Sequence, residues 1–174
     1  MTTALLVIDV QEAMFSYPGM SLYEGEQVLE RIASLIAKAR SAGTPVIYIQ
    51  HTEDEGEFVK GTPAWEINSH IAPLAGERVI EKTTPDSFHL TGLQPELERL
   101  GVNELYLCGM QTDYCVNATS RRASALGYST VLVKDAHSTF DNDTHSGEEI
   151  VNQHNQDLGS GIVTLRAEQE ISFT

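Results

Sequence analysis

The chain has 174 residues, of which 41% are hydrophobic and 21% charged, a composition typical of a folded globular protein rather than a disordered one. Its 25 acidic and 11 basic residues give a formal net charge of −14. Because nucleic acids and anionic membrane surfaces bind clusters of Lys and Arg, this charge argues against both as partners. We predict a single domain over residues 1–174 whose partner is a small-molecule substrate.

The N-terminal segment, MTTALLVIDVQEAM, has no basic region, and Asp9 interrupts its apolar run. It therefore resembles neither a signal peptide nor a membrane span, and we expect a cytoplasmic location. Cysteines in a reducing compartment are expected to be free thiols. The spacing of Cys108 and Cys115, C-x6-C, is neither the C-x-x-C redox pair nor a paired zinc knuckle.

Six short segments, mostly rich in Val, Ile, Leu or Tyr, predict β-strands at residues 4–10, 45–52, 78–83, 104–110, 129–136 and 161–167. Four of the six have a nearly continuous apolar centre, as strands buried on both faces require. Helical patterns alternate with them, at residues 26–43, 93–100, 113–126 and about 144–158. The alternation predicts an α/β protein with a parallel sheet and helices on both faces.

Residues 53–77 interrupt this alternation. They mix Gly, Pro and charged residues around Trp65, the single tryptophan of the chain. Loops of this length in a compact domain are usually functional or disordered, and the tryptophan favours a packed loop with a short turn of helix.

Three different side chains fall at predicted strand ends, where open parallel sheets bind ligands. Asp9 ends the first strand, Lys82 ends the third, and Cys115 follows the fourth near the start of a helix. If Thr112 caps that helix, unpaired N–H groups and the helix dipole stabilise a thiolate at Cys115, and a nearby ammonium acts in the same direction. The three side chains together suit nucleophilic catalysis.

Each of these residues also has a structural interpretation. A buried, inert thiol is the alternative for Cys115 and is what we expect of Cys108. Asp9 could cap the loop after its strand, and most lysines are solvated. A buried carboxylate is costly unless it is paired or reacts, which favours a chemical role for Asp9.

Three motifs resemble the isochorismatase-like cysteine hydrolases, the superfamily that includes nicotinamidases, carbamoylsarcosine amidases and a streptothricin hydrolase branch. They are LLVIDVQ (5–11), VIEKTTPDSF (79–88) and LCGMQTDYCVNATSRRASALGY (107–128). The resemblance implies a three-layer α/β/α Rossmann-like fold with a six-stranded parallel sheet in the order 3-2-1-4-5-6. It also implies that Asp9, Lys82 and Cys115 form an Asp–Lys–Cys catalytic triad.

The same resemblance implies a cis peptide bond between Met110 and Gln111. The N–H groups of Gln111 and Cys115 are then expected to form an oxyanion hole. Isochorismatases proper hydrolyse a vinyl ether and lack a cysteine at this position, so Cys115 favours a substrate with an amide, carbamoyl or lactam group. The side chains that we expect to line the substrate pocket are Gln11, Phe15, Trp65, Phe88 and Tyr114.

Metal-binding nicotinamidases carry an Asp-x-His pair and a further His after the second strand. His51 and Asp54 do not have that spacing here. We therefore predict no metal and no organic cofactor, and we expect the other histidines to be surface or hydrogen-bonded residues.

The predicted function is hydrolysis of a non-peptide C–N bond through a thioester. Two alternatives stay open, a vinyl ether hydrolase and a catalytically silent binding subunit. Because members of this superfamily commonly form dimers or tetramers, the resemblance also implies a homo-oligomer.

Overall fold

The structure is a computed structural model that describes all 174 residues, Met1–Thr174. Its strands are β1 (Thr3–Ile8), β2 (Val46–His51), β3 (Arg78–Lys82), β4 (Glu104–Met110), β5 (Ser129–Ser138) and β6 (Thr164–Arg166). They form one sheet in the order β3-β2-β1-β4-β5-β6, and every neighbouring pair is parallel. The predicted sheet and its order are confirmed.

The helices are α1 (Glu12–Ser16), α2 (Gly25–Ser41), α3 (Leu93–Arg99), α4 (Asn117–Ala125) and α5 (Gly147–Leu158). The shortest of them, α1, lies where the sequence analysis predicts no helix. The helix predicted from residue 113 begins with a separate π-helical turn, Thr112–Val116, before α4. Residues 53–77 hold two short 3-10 turns, Pro63–Trp65 and Ser69–Ile71. The last strand is shorter than predicted. Gly161 has a φ of 116°, outside the strand conformation, and the N–H groups of Ile162 and Val163 donate to the carbonyl oxygen of Leu158 instead of pairing in the sheet.

The core consists of two apolar clusters, one on each face of the sheet. Successive residues of β1 point to opposite faces, so Leu5 and Val7 join one cluster while Leu6 and Ile8 join the other. The first cluster packs under α2, and the second packs under α3 and α4. Burial on both faces explains the unbroken apolar run of β1, since each such side chain contributes about 1.5–3 kcal/mol when it leaves water.

Gly109 lets β4 pass close to β1 at the carboxyl edge of the sheet. Its φ is 125°, and a Cβ atom there would lie 2.0 Å from the carbonyl oxygen of Ile8. A residue with a side chain would push the two central strands apart. The close approach brings the turn after β4 beside the end of β1. None of the helices is long and apolar enough to cross a membrane.

Candidate active site

Asp9 follows β1 directly and is fully buried. Its φ of 51° is uncommon for a residue other than glycine, and its N–H donates to the carbonyl oxygen of Ile49 at 3.0 Å. The backbone therefore bends sharply at the end of the strand, with the carboxylate held inside the protein.

Lys82 is the last residue of β3, and its side chain has no exposed surface. Its ammonium donates to Asp9 Oδ2 at 2.9 Å and to Cys115 Sγ at 3.3 Å. The strand order explains the meeting, because β1, β3 and β4 all end at the same edge of the parallel sheet. The three residues predicted as a triad therefore lie in direct or bridged contact.

The second carboxylate oxygen, Asp9 Oδ1, is buried and has no hydrogen-bond partner within the chain. The reacting atoms of Asp9 and Cys115 lie within 4.8 Å of each other. An unpaired buried carboxylate oxygen is costly and is therefore available to take a proton.

The charge state of the thiol differs from the sequence expectation. Burial raises the pKa of Cys115, the charge of Asp9 raises it further, and Lys82 lowers it only in part. Burial lowers the pKa of Lys82, but the pairing with Asp9 and Cys115 outweighs it and raises the value overall. The raised pKa favours the thiol form of Cys115 beside the charged ammonium of Lys82, so a base must remove the thiol proton during reaction.

The condition that Thr112 caps the helix is not met. Its hydroxyl contacts His137 Nδ1 at 2.8 Å and does not cap the helix that follows. His137 Nε2 in turn contacts Asn155 Oδ1 at 2.8 Å, while the amide nitrogen of Asn155 donates to the carbonyl oxygen of Lys134. Burial lowers the pKa of His137 to about 4, so the ring is neutral and links β5 and α5 to the turn before Cys115.

Gln111 precedes that turn, and the Met110–Gln111 peptide bond is cis. No hydrogen bond within the chain uses the main-chain N–H of Gln111. The carbonyl oxygen of Gln111 accepts hydrogen bonds from the main-chain N–H groups of Tyr114 and Val116, and these bonds fix the start of the turn.

A cavity of about 330 Å³ opens over these groups. Predicted residues that line it are Asp9, Gln111, Tyr114 and Cys115, and the others are Met14, His51, Glu53, Phe58, Thr83 and Pro85. A larger groove of about 530 Å³ runs along α5 and includes none of the three predicted triad residues. The smaller cavity is therefore the candidate active site.

Four residues expected to line the pocket do not line this cavity. Gln11 is fully buried and bonds to the main chain of His51 and Trp65. The Trp65 indole donates to Thr52 Oγ1 at 3.0 Å. Phe88 stacks on Tyr128, and Phe15 packs against the apolar cluster under α2. These side chains support the walls, and any contact of theirs with substrate stays a prediction.

His51 is a site residue that the sequence analysis did not single out. It ends β2, lines the cavity, and its Nδ1 lies 3.0 Å from Lys82 Nζ. The signal that could have found it is its position, because a polar residue at the end of a buried strand is the same feature that identified Asp9 and Lys82.

Asp9, His51 and Cys115 also form a set of donors of the kind that holds a metal ion. The ammonium of Lys82, however, is within 3.3 Å of all three donors and uses them as hydrogen-bond acceptors. A metal ion would have to displace this cation, so the donor set does not fit a metal while Lys82 is charged.

Comparison with known proteins places the chain among relatives of one fold. It is 42% identical over 139 residues to streptothricin hydrolase from Streptomyces noursei, a match that covers 79% of this chain but 50% of that protein. The chain thus spans about half the length of that relative. It is 32% identical over 178 residues to maleamate amidohydrolase from Pseudomonas putida, covering 86% of this chain and 83% of the relative.

Among solved structures, one described as a putative isochorismatase hydrolase from Oleispira antarctica superimposes with a TM-score of 0.90 at 31% identity. The match covers 97% of this chain and 95% of that one. Residues 3–149 match the Isochorismatase domain. The chain therefore belongs to the isochorismatase family.

Proposed function

We propose that the protein hydrolyses a non-peptide C–N bond of a small molecule through a thioester on Cys115. The observation that carries this proposal is the buried Lys82 ammonium, which bridges Asp9 and Cys115 at 2.9 and 3.3 Å beneath an open cavity. Relatives named as a hydrolase of streptothricin and an amidohydrolase of maleamate support the reaction class.

In the first half-reaction, Asp9 Oδ1 takes the proton of the Cys115 thiol as the sulfur attacks the carbonyl carbon. Lys82 stabilises the developing thiolate and keeps Asp9 beside it. The main-chain N–H groups of Gln111 and Cys115 donate to the oxyanion of the tetrahedral intermediate. Protonated Asp9 then gives its proton to the leaving nitrogen, and the C–N bond breaks to leave a thioester.

In the second half-reaction, a water molecule enters where the amine has left. Asp9, again a carboxylate, removes a proton from this water as the oxygen attacks the thioester carbonyl. The C–S bond breaks, protonated Asp9 returns its proton to the sulfur, and the product leaves with a new carboxyl group. One carboxylate thus serves as base and then as acid in each half-reaction.

The lining of the cavity favours a neutral or cationic substrate. It contains the carboxylates of Asp9 and Glu53 and no arginine, and the ammonium protons of Lys82 are already used. A dianionic vinyl ether such as isochorismate would meet like charge without a cationic partner. The lining thus argues against the vinyl ether alternative.

The proposal is tested by a screen of carboxamides, carbamoyl compounds and lactams for ammonia release or ring opening. Cys115→Ala serves as the blank, and quenched reactions are examined by intact mass for an acyl group on Cys115. We expect at least one compound to be turned over by the native protein only, with neutral and cationic compounds ahead of anionic ones. Isochorismate is added to the panel as the vinyl ether. Hydrolysis of isochorismate alone, or no turnover of any compound and no Cys115 adduct, would reject the proposal in favour of one of the two alternatives.

Three further expectations accompany this proposal. We propose a homo-oligomer, dimer or tetramer, which light scattering of the purified protein would measure. We also propose a cytoplasmic location. The third proposal is activity without a metal or organic cofactor, and turnover that persists after exhaustive chelation would test the absence of a metal.

A further inference from the structure

The ammonium of Lys82 has three protons and three hydrogen-bond acceptors, and only two of these acceptors belong to the proposed triad. The third is His51 Nδ1, at 3.0 Å from Nζ, against 2.9 Å for Asp9 Oδ2 and 3.3 Å for Cys115 Sγ. A charged ammonium can only donate, so Nδ1 must present a lone pair. The ring of His51 is therefore neutral and carries its proton on Nε2.

Glu53 selects that tautomer. Its carboxylate oxygen Oε1 lies 2.8 Å from His51 Nε2 and accepts a hydrogen bond from the ring N–H. The position of Glu53 is itself fixed, because its main-chain N–H donates to the carbonyl oxygen of Phe58 at 2.9 Å. A continuous line of hydrogen bonds thus runs from Glu53 at the mouth of the cavity through His51 to Lys82.

His51 is held from three sides. Both main-chain polar groups of His51 bond to the amide of Gln11, each at 2.9 Å. The edge of its ring packs against Phe58, with ring centroids 5.5 Å apart at 81°. Only 13% of the side chain is exposed. The ring cannot turn away from Lys82 without losing its contacts with Phe58 and Glu53.

We propose that His51, oriented by Glu53, is a positioning residue that holds the Lys82 ammonium between Asp9 and Cys115. A neutral acceptor suits this task because it satisfies the third ammonium proton without adding negative charge. A carboxylate in the same place would stabilise the thiol form of Cys115 and oppose the reaction. The inference rests on the proposed function, in which Lys82 stabilises the thiolate.

The test measures the rate of Cys115 alkylation by iodoacetamide as a function of pH, followed by peptide mass. The charged or titratable groups that contact His51 or Lys82 are Asp9, Lys82, Glu53 and Cys115. In His51→Leu one ammonium proton loses its acceptor, the cation is held less firmly, and the thiolate is less stable. We expect the alkylation rate at pH 7 to fall about tenfold and the profile to move about one pH unit upward.

His51→Asn offers an amide oxygen close to the position of Nδ1, and we expect it to restore the rate to within about threefold of the native protein. Glu53→Ala removes a half-exposed side chain and keeps the test possible if His51→Leu does not fold. We expect it to move the profile in the same direction by a smaller amount. His70→Leu is the matched control, because His70 Nε2 makes the same 2.8 Å contact with a carboxylate, that of Glu30, and does not line the cavity.

The inference is overturned if the profiles of His51→Leu and Glu53→Ala coincide with that of His70→Leu, or if His51→Asn is as impaired as His51→Leu. Alkylation needs no substrate, so its result stands apart from that of the substrate screen. A shifted profile with no compound turned over would support the positioning role while rejecting the reaction. Turnover of a compound together with an unshifted alkylation profile would support the reaction while rejecting the positioning role of His51.

Discussion

The two cysteines occupy similarly buried places on opposite faces of the sheet, yet their surroundings differ. Cys108 has no exposed surface, lies in the apolar cluster under α2, and donates only a weak hydrogen bond to the carbonyl oxygen of Leu6 at 3.6 Å. Cys115 is 8% exposed and lies at the edge of the other cluster, beside Lys82 and Asp9. Burial raises the pKa of both thiols. Burial alone therefore gives an inert thiol, and what distinguishes Cys115 is an adjacent base, an adjacent cation and an opening to the cavity.

Replacing each cysteine by alanine should give the largest difference in turnover between the two sites. Cys115→Ala removes the nucleophile, and we expect turnover of the substrate found by the screen to fall by at least about 1,000-fold. Cys108→Ala should retain turnover within about threefold but lose about 1 kcal/mol of unfolding free energy, because it leaves a small cavity in a packed strand. Urea denaturation measures the second effect. Comparable turnover in the two variants would show that Cys115 is not the nucleophile.

The role of the base is isolated by Asp9→Asn. We expect turnover to fall by about 100-fold to 10,000-fold, because an amide can neither accept the thiol proton nor protonate the leaving nitrogen. The same substitution removes a negative charge that raises the pKa of Cys115, so the thiol should be alkylated at lower pH than in the native protein. Loss of turnover with gain of thiol reactivity is the expected signature.

Lys82→Ala should shift the alkylation profile of Cys115 in the direction opposite to that of Asp9→Asn. The ammonium lowers the pKa of Cys115, so its removal should move the alkylation profile to higher pH. If both substitutions moved the profile in one direction, the charges of Asp9 and Lys82 would not be what separates Cys115 from Cys108.

An effect on stability rather than on turnover is expected from His137, a buried titratable group that, like Cys108, is held neutral by its surroundings. Its folded pKa, about 4, is below the ordinary value of 6.5, so folding disfavours the protonated ring. Its stabilising contribution is present above pH 6.5 and is lost as the pH falls through 4, amounting to about 3 kcal/mol. Urea denaturation between pH 4 and 7 measures this loss, and His137→Gln, which does not titrate, should lack it. Equal slopes in the two proteins would remove His137 as the cause.

Much of the site was predictable because strand ends are visible in the sequence. Asp9 interrupts an apolar run, Lys82 closes another, and Cys115 follows a third. Because open parallel sheets bind ligands at the carboxyl ends of their strands, these three residues could be predicted to lie close together. His51 ends β2 in the same way and could have been found by the same argument. His137 follows the strand predicted at residues 129–136 and meets the same criterion, but β5 continues through Ser138 and the ring is buried inside the strand rather than open to the cavity.

Roles that depend on the direction of a side chain were predicted less well. Gln11 was expected to face substrate, whereas both ends of its amide bond to the main chain of His51. Thr112 was considered as a helix cap, whereas its hydroxyl contacts His137. Both cases concern polar groups that can bond to several partners, and the chain order does not say which partner is near.

The alternation of strands and helices could be derived from the amino-acid sequence, since apolar periodicity is a local property of the chain. The chemical groups that lie at strand ends could be derived from it as well. The fold alone brings one ammonium within reach of Asp9, His51 and Cys115 and surrounds the Cys115 thiol with groups that raise its pKa. These effects could not be derived from the chain order, because burial and charge act over a few ångströms in space, between residues that are 31 to 73 positions apart in the chain.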